Sequence, residues 1–109
     1  MRINWTDPES ESPTWSDPGL LVLISLAGGS KHGYAMVEDI ERFAGHHLGP
    51  GTLYGAIARL EKARLIESIE GPPRRRPYRL TAQGVTVLRS HLAKLQAVAG
   101  AATVRLEPE

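Results

Sequence analysis

The sequence predicts a mainly α-helical chain with one small β-hairpin and a long last helix. Three observations carry that expectation. Apolar residues recur at helical spacing in four separate stretches. Two short β-prone runs flank the turn signal Gly71-Pro72-Pro73. The last stretch, through Val85, Leu88, Leu92, Leu95 and Ala99, repeats in steps of three or four and outlasts the others.

Each element follows from local chemistry. The first helix opens at Asp17-Pro18, where Asp17 can cap an orphan amide and Pro18 suits the first helical position. Leu20, Leu21, Leu23, Ile24, Leu26 and Ala27 make it apolar on most sides, and Gly28-Gly29 ends it. The second helix spans about 33–43, with Tyr34, Val37, Ile40 and Phe43 as its apolar path and Gly45 as its stop. Tyr34 is expected to pack between helices. The third begins at Pro50 with Gly49 as N-cap, and Leu53, Ala56, Ile57 and Leu60 form one buried stripe. Strands are expected over 65–69 and 77–81, with Arg74, Arg75 and Arg76 at the hairpin tip. Thr81 caps a fourth helix to about residue 104, roughly 30 Å long at about 1.5 Å per residue. The small body before it cannot cover that length, so Leu88, Leu92, Leu95 and Ala99 are expected to form a dimerisation face.

Composition narrows the class. The chain has 109 residues, the size of one domain, with 41% hydrophobic and 23% charged residues. It divides into an acidic arm (1–17), a three-helix and hairpin unit (18–81) and the last helix with its tail (82–109). There is no Cys, so disulfides, a cysteine nucleophile and a thiolate zinc site are excluded. The longest apolar run, 20–27, is far below the roughly 20 residues of a membrane span, and the start shows no signal-peptide core. A cytoplasmic protein without membrane contact is expected. His46 and His47 are adjacent rather than spaced as metal ligands. Gly49-Pro50-Gly51 lacks the lysine of a phosphate-binding loop, and no Gly-x-Ser-x-Gly is present. No catalytic residue, metal or cofactor is expected, and the chain is not read as an enzyme.

The net charge of +1 hides an uneven distribution. Residues 1–17 carry one Arg against four Asp and Glu, whereas residues 46–81 carry seven Lys and Arg against three Glu. A local basic surface matters more to a polyanion than the chain total does. Two helices joined by a short Gly-containing turn fit a helix-turn-helix, and a basic hairpin directly after makes it a winged helix. A helix about 10–12 Å across fits the major groove, about 12 Å wide, and the hairpin can set guanidinium groups against phosphates.

The residues 21–81 resemble the PadR family of bacterial winged-helix transcriptional regulators. The matching pieces are His32-Gly33-Tyr34, PGTLY beginning at Pro50, Arg59-Leu60-Glu61, LIES beginning at Leu65, and GPPRRRPYRLT from Gly71 to Thr81. The pieces occur in order over more than half of the chain. Departures from the family pattern are Gly49, Gly55 and Pro77. The resemblance implies a winged helix-turn-helix with a C-terminal dimerisation helix, acting on double-stranded DNA as a homodimeric repressor. Some family members also bind a small effector that weakens DNA binding.

The candidate DNA-contacting residues are Lys31, His32, Thr52, Tyr54, Arg59, Lys62, Arg74, Arg75 and Arg76. His32 has helix capping as a competing role, and Arg59 has pairing with Glu61 or Glu67. Trp5 and Trp15 are candidates for the pocket of a small aromatic effector, with anchoring of the arm as the competing role. A dimer on an inverted repeat would place its two third helices about 34 Å apart. The alternative from another class is a winged helix that docks a protein partner through its long helix and aromatic arm.

Overall fold

The computed structural model describes residues 16–71 and 75–108. In order, the elements are α1 (Pro18–Ala27), α2 (Gly33–Ala44), α3 (Pro50–Lys62), β1 (Ile66–Ser68), β2 (Tyr78–Leu80) and α4 (Ala82–Leu106). This is the expected mainly helical architecture with one antiparallel hairpin and a long last helix. Both strands are three residues long, shorter than the runs that predicted them. Trp5, Trp15 and Arg74 lie outside the described residues.

Helix α1 is the central pillar and touches α2, α3, β2 and α4. The Asp17 carboxylate accepts from the Leu20 N–H at 3.0 Å, and Pro18 stands where a missing N–H costs nothing. Leu20, Leu21, Val22, Leu23 and Leu26 are all buried, as expected for a helix apolar on most sides, although Ala27 in the last turn is exposed. Ser25 is also buried, and its hydroxyl donates to Asp39 on α2 at 2.7 Å, which satisfies it.

Helix α2 corrects one expectation. Tyr34 is 68% exposed and Phe43 is 44% exposed, while Gly33, Met36 and Ile40 are buried. The reason is geometric. At about 100° per residue, Tyr34 and Phe43 are nine residues apart and lie on opposite sides of the helix. The spacing Gly33, Met36, Ile40 (i, i+3, i+7) is the true apolar face. In α3, by contrast, Leu53, Ala56, Ile57 and Leu60 are buried as expected.

The hairpin pairs Ile66 with Leu80, Glu67 with Arg79 and Ser68 with Tyr78. Helix α4 is capped by Thr81, whose hydroxyl accepts from the Gly84 N–H at 3.0 Å. Leu88 is buried and Leu92 and Leu95 are half-buried, but Ala99 and every described residue after it is exposed. The described chain spans 58 × 25 × 25 Å, and the free end of α4 accounts for the long axis. Among the described residues, no helix is long and apolar enough to cross a membrane.

Candidate nucleic-acid interface

The exposed side of α3 has two parts. Thr52, Gly55, Arg59 and Lys62 recur at i, i+3, i+7 and i+10, which aligns them in one stripe. Of these Thr52, Arg59 and Lys62 are exposed, and the Arg59 guanidinium lies back over Gly55. Tyr54 and Glu61, also seven residues apart, flank this stripe on another side. Tyr54 is 50% exposed, too open for a core residue. The amino end of α3 adds a further electrostatic feature. Gly49 offers no side chain to the first turn and Pro50 has no N–H, so the amides behind them keep their partial positive charge for an outside acceptor.

The hairpin is fastened to the helix-turn-helix by the segment before α2. Lys31 and Tyr78 exchange backbone hydrogen bonds of 3.2 and 3.1 Å, which extends the sheet by one bridge. Tyr78 itself is half-buried. Its phenol is raised above the usual value of 10.0, first by burial and then by the Glu61 carboxylate; the Arg76 guanidinium opposes this and the Tyr54 phenol adds to it. Tyr78 therefore has groups of α3 and of the hairpin within electrostatic reach. Beyond it, Arg75 and Arg76 are exposed. Arg79 points to the opposite face of β2 and is paired across the hairpin with Glu67 at 2.8 Å. The α3 residues Thr52, Tyr54, Arg59 and Lys62 and the hairpin residues Arg75 and Arg76 thus all face solvent on adjoining elements.

Two candidates from the sequence have other partners. The Lys31 side chain is only 20% exposed, and its ammonium group donates to the backbone carbonyls of Ser25 and, at 3.2 Å, Gly29, with the Asp39 carboxylate 3.8 Å away. It closes the carboxyl end of α1, where a cation complements the helix dipole, rather than standing free for a phosphate. His32 takes the capping role: its Nδ1 accepts from the Ala35 N–H at 3.4 Å at the start of α2. Sequence reasoning missed the seat of Tyr54. A Cβ on Gly33 would fall 2.4 Å from the Tyr54 hydroxyl oxygen, so the ring lies directly on the Gly33 backbone. Nothing in spacing or composition signals that contact. Among the described residues no group of three or more His, Cys, Asp or Glu gathers as a metal site.

Comparison with known proteins agrees with this architecture. The model of the transcriptional regulator PadR-like family matches residues 20–90. A PadR family transcriptional regulator from Eggerthella lenta is 30% identical, with a TM-score of 0.65, covering 84% of this chain and 85% of that one. A PadR family transcription regulator from Clostridium difficile has a TM-score of 0.73 at 23% identity, covering 83% of this chain and 98% of that one, and shows the shared fold. The chain is also 44% identical over 85 residues to an uncharacterised 37.1 kDa protein in transposon TN4556 of Streptomyces fradiae. That match covers 78% of this chain but 25% of the relative, so the chain spans about a quarter of that protein's length. The match over the core of the chain, with the helix-turn-helix, the hairpin and the long last helix, makes the chain a member of the PadR-like family of transcriptional regulators.

Proposed function

We propose that this chain acts as a homodimeric repressor that reads an inverted-repeat operator. The observation that carries the reading is the solvent-facing set formed by Thr52, Tyr54, Arg59 and Lys62 on α3 with Arg75 and Arg76 on the hairpin. In this reading α3 enters the major groove. Tyr54 and the Thr52 stripe meet base edges, and Arg75 and Arg76, with Arg74 beside them in the sequence, meet phosphates. Gly55 leaves the stripe low enough for the duplex to approach. His32 and Lys31 shape the turn before α2 and serve the interface indirectly.

Helix α4 supports the dimer. Its 25 residues extend about 37 Å. Leu92 and Leu95 are half-covered, while Ala99, Ala102 and Leu106, which continue the same face at i+3 and i+4 steps, are exposed. An apolar stripe continuing past the body is most simply buried against a second copy of itself.

The test is equilibrium binding of the full chain to duplex DNA from upstream of its own gene, at stated salt, with sedimentation in parallel. The reading expects a saturable complex and a mass near twice the 11.9 kDa chain at micromolar concentration. Binding no tighter than to a scrambled duplex contradicts the operator, and a monomer contradicts the dimer.

A further inference from the structure

Tyr54 stands on the flank of α3, yet its ring ends on the first residue of α2. A Cβ added at Gly33 would lie 2.4 Å from the Tyr54 hydroxyl oxygen, 2.8 Å from Cζ and 3.2 Å from Cε1. All three atoms belong to the far end of one half-exposed side chain, and none is backbone. An alanine there would be accommodated by swinging the Tyr54 ring away, with the two helices left in place.

The backbone conformation at the position does not require glycine. Gly33 is the first residue of α2, and the glycines with positive φ are Gly29 and Gly45. The cap beside it depends on the His32 ring and the Ala35 N–H, neither of which a methyl group at 33 removes. Alanine is the better helix former, so backbone energetics alone favour the substitution. What glycine supplies here is room for the ring.

We infer that Gly33 is a specificity-positioning residue: by carrying no side chain it seats the Tyr54 phenol against the start of α2, and so fixes where that hydroxyl meets a base edge. The inference rests on the proposed DNA-reading role of Tyr54. Its action runs through Tyr54, which makes it separable from a structural effect.

The experiment is a double-mutant cycle of Gly33→Ala and Tyr54→Ala. Affinities are measured on a duplex selected by the wild-type protein from a random pool and on unselected DNA. Gly33→Ala should melt at or slightly above the wild-type temperature, yet lower the ratio of selected to unselected affinity about tenfold, the scale of one lost base contact. In the Tyr54→Ala background it should change that ratio no further. Proton NMR of the free protein gives a readout without DNA: the Gly33 Hα resonances should carry a ring-current shift that Tyr54→Ala removes. Equal losses from Gly33→Ala in both backgrounds, an unchanged ratio in the single variant, or Gly33 resonances indifferent to Tyr54 would each overturn the inference. A wild-type protein that enriches no sequence removes the DNA-reading role itself, and this inference with it.

Discussion

Replacing Gly84 with alanine should loosen the joint between the long helix and the hairpin. A Cβ at this position would fall 2.0 Å from the Leu65 carbonyl oxygen and 3.0 Å from its carbon. Carbon and oxygen approach comfortably at about 3.3 Å, so the two backbones must separate by about 1.3 Å. Neither atom can rotate away, because both are main chain. The same carbonyl accepts from the Thr81 N–H at 3.0 Å, a bond stretched by any such movement. Overpacking of this kind costs about 1–3 kcal/mol and a weakened hydrogen bond about 1 kcal/mol more, while the gain in helix propensity returns up to about 1 kcal/mol. The net loss is about 1–3 kcal/mol, and its centre of about 2 kcal/mol is a fall of roughly 10–15 °C in melting temperature for a domain of this size. Thermal and urea denaturation, with the slope of the urea transition checked for constancy, measure it. A variant within about 0.5 kcal/mol of wild type would refute the close approach of α4 to Leu65, and with it the rigid coupling of long helix and hairpin.

Three further outcomes are expected. Replacing Arg74, Arg75 and Arg76 together with alanine should lower the slope of log affinity against log salt by up to about 3, one for each lost phosphate contact; an unchanged slope on a salt titration removes the hairpin from the interface. Asp17→Ala should cost about 1 kcal/mol through loss of the α1 cap, and Asp17→Asn much less, because an amide oxygen can still accept from Leu20; equal losses in denaturation would mean the cap is not what Asp17 supplies. Burial lowers the His91 imidazole below 6.5, with Asp17 pulling against that and Lys94 adding to it. The unfolded chain therefore takes up the proton more readily, so this residue's contribution weakens stability as pH falls through about 6.5 and leaves it unaffected well above. His91→Gln should flatten that part of the stability profile, and an unaltered profile counts against it.

The legible parts of the molecule were those governed by local rules. Asp17 and Thr81 cap helices because a short polar side chain before an apolar run has few other uses, and both caps form as expected. The α3 stripe was legible because four apolar residues at i, i+3, i+4 and i+7 admit one buried face. The face of α2 is less legible: Tyr34, Val37, Ile40 and Phe43 follow an unbroken three-residue step, which drifts round the helix and cannot hold one face, so Tyr34 and Phe43 end up exposed. Among the candidate contacts, charge and type identified Thr52, Tyr54, Arg59, Lys62, Arg75 and Arg76 as outward residues, and all six are exposed. Lys31 looked the same in sequence, and only its reach to the end of α1 shows where its charge is spent. The close approaches of Gly33 to Tyr54 and of Gly84 to Leu65 join residues distant in sequence through main-chain geometry, which no local pattern encodes.

The most direct measurement is hydroxyl-radical footprinting of the full chain on its selected duplex. A homodimer on an inverted repeat should leave two protected patches related by a dyad, their centres one helical turn or about 34 Å apart, with two chains bound per duplex. A single unsymmetrical patch, or protection by one chain, would contradict a homodimer reading an inverted repeat through α3 and the hairpin.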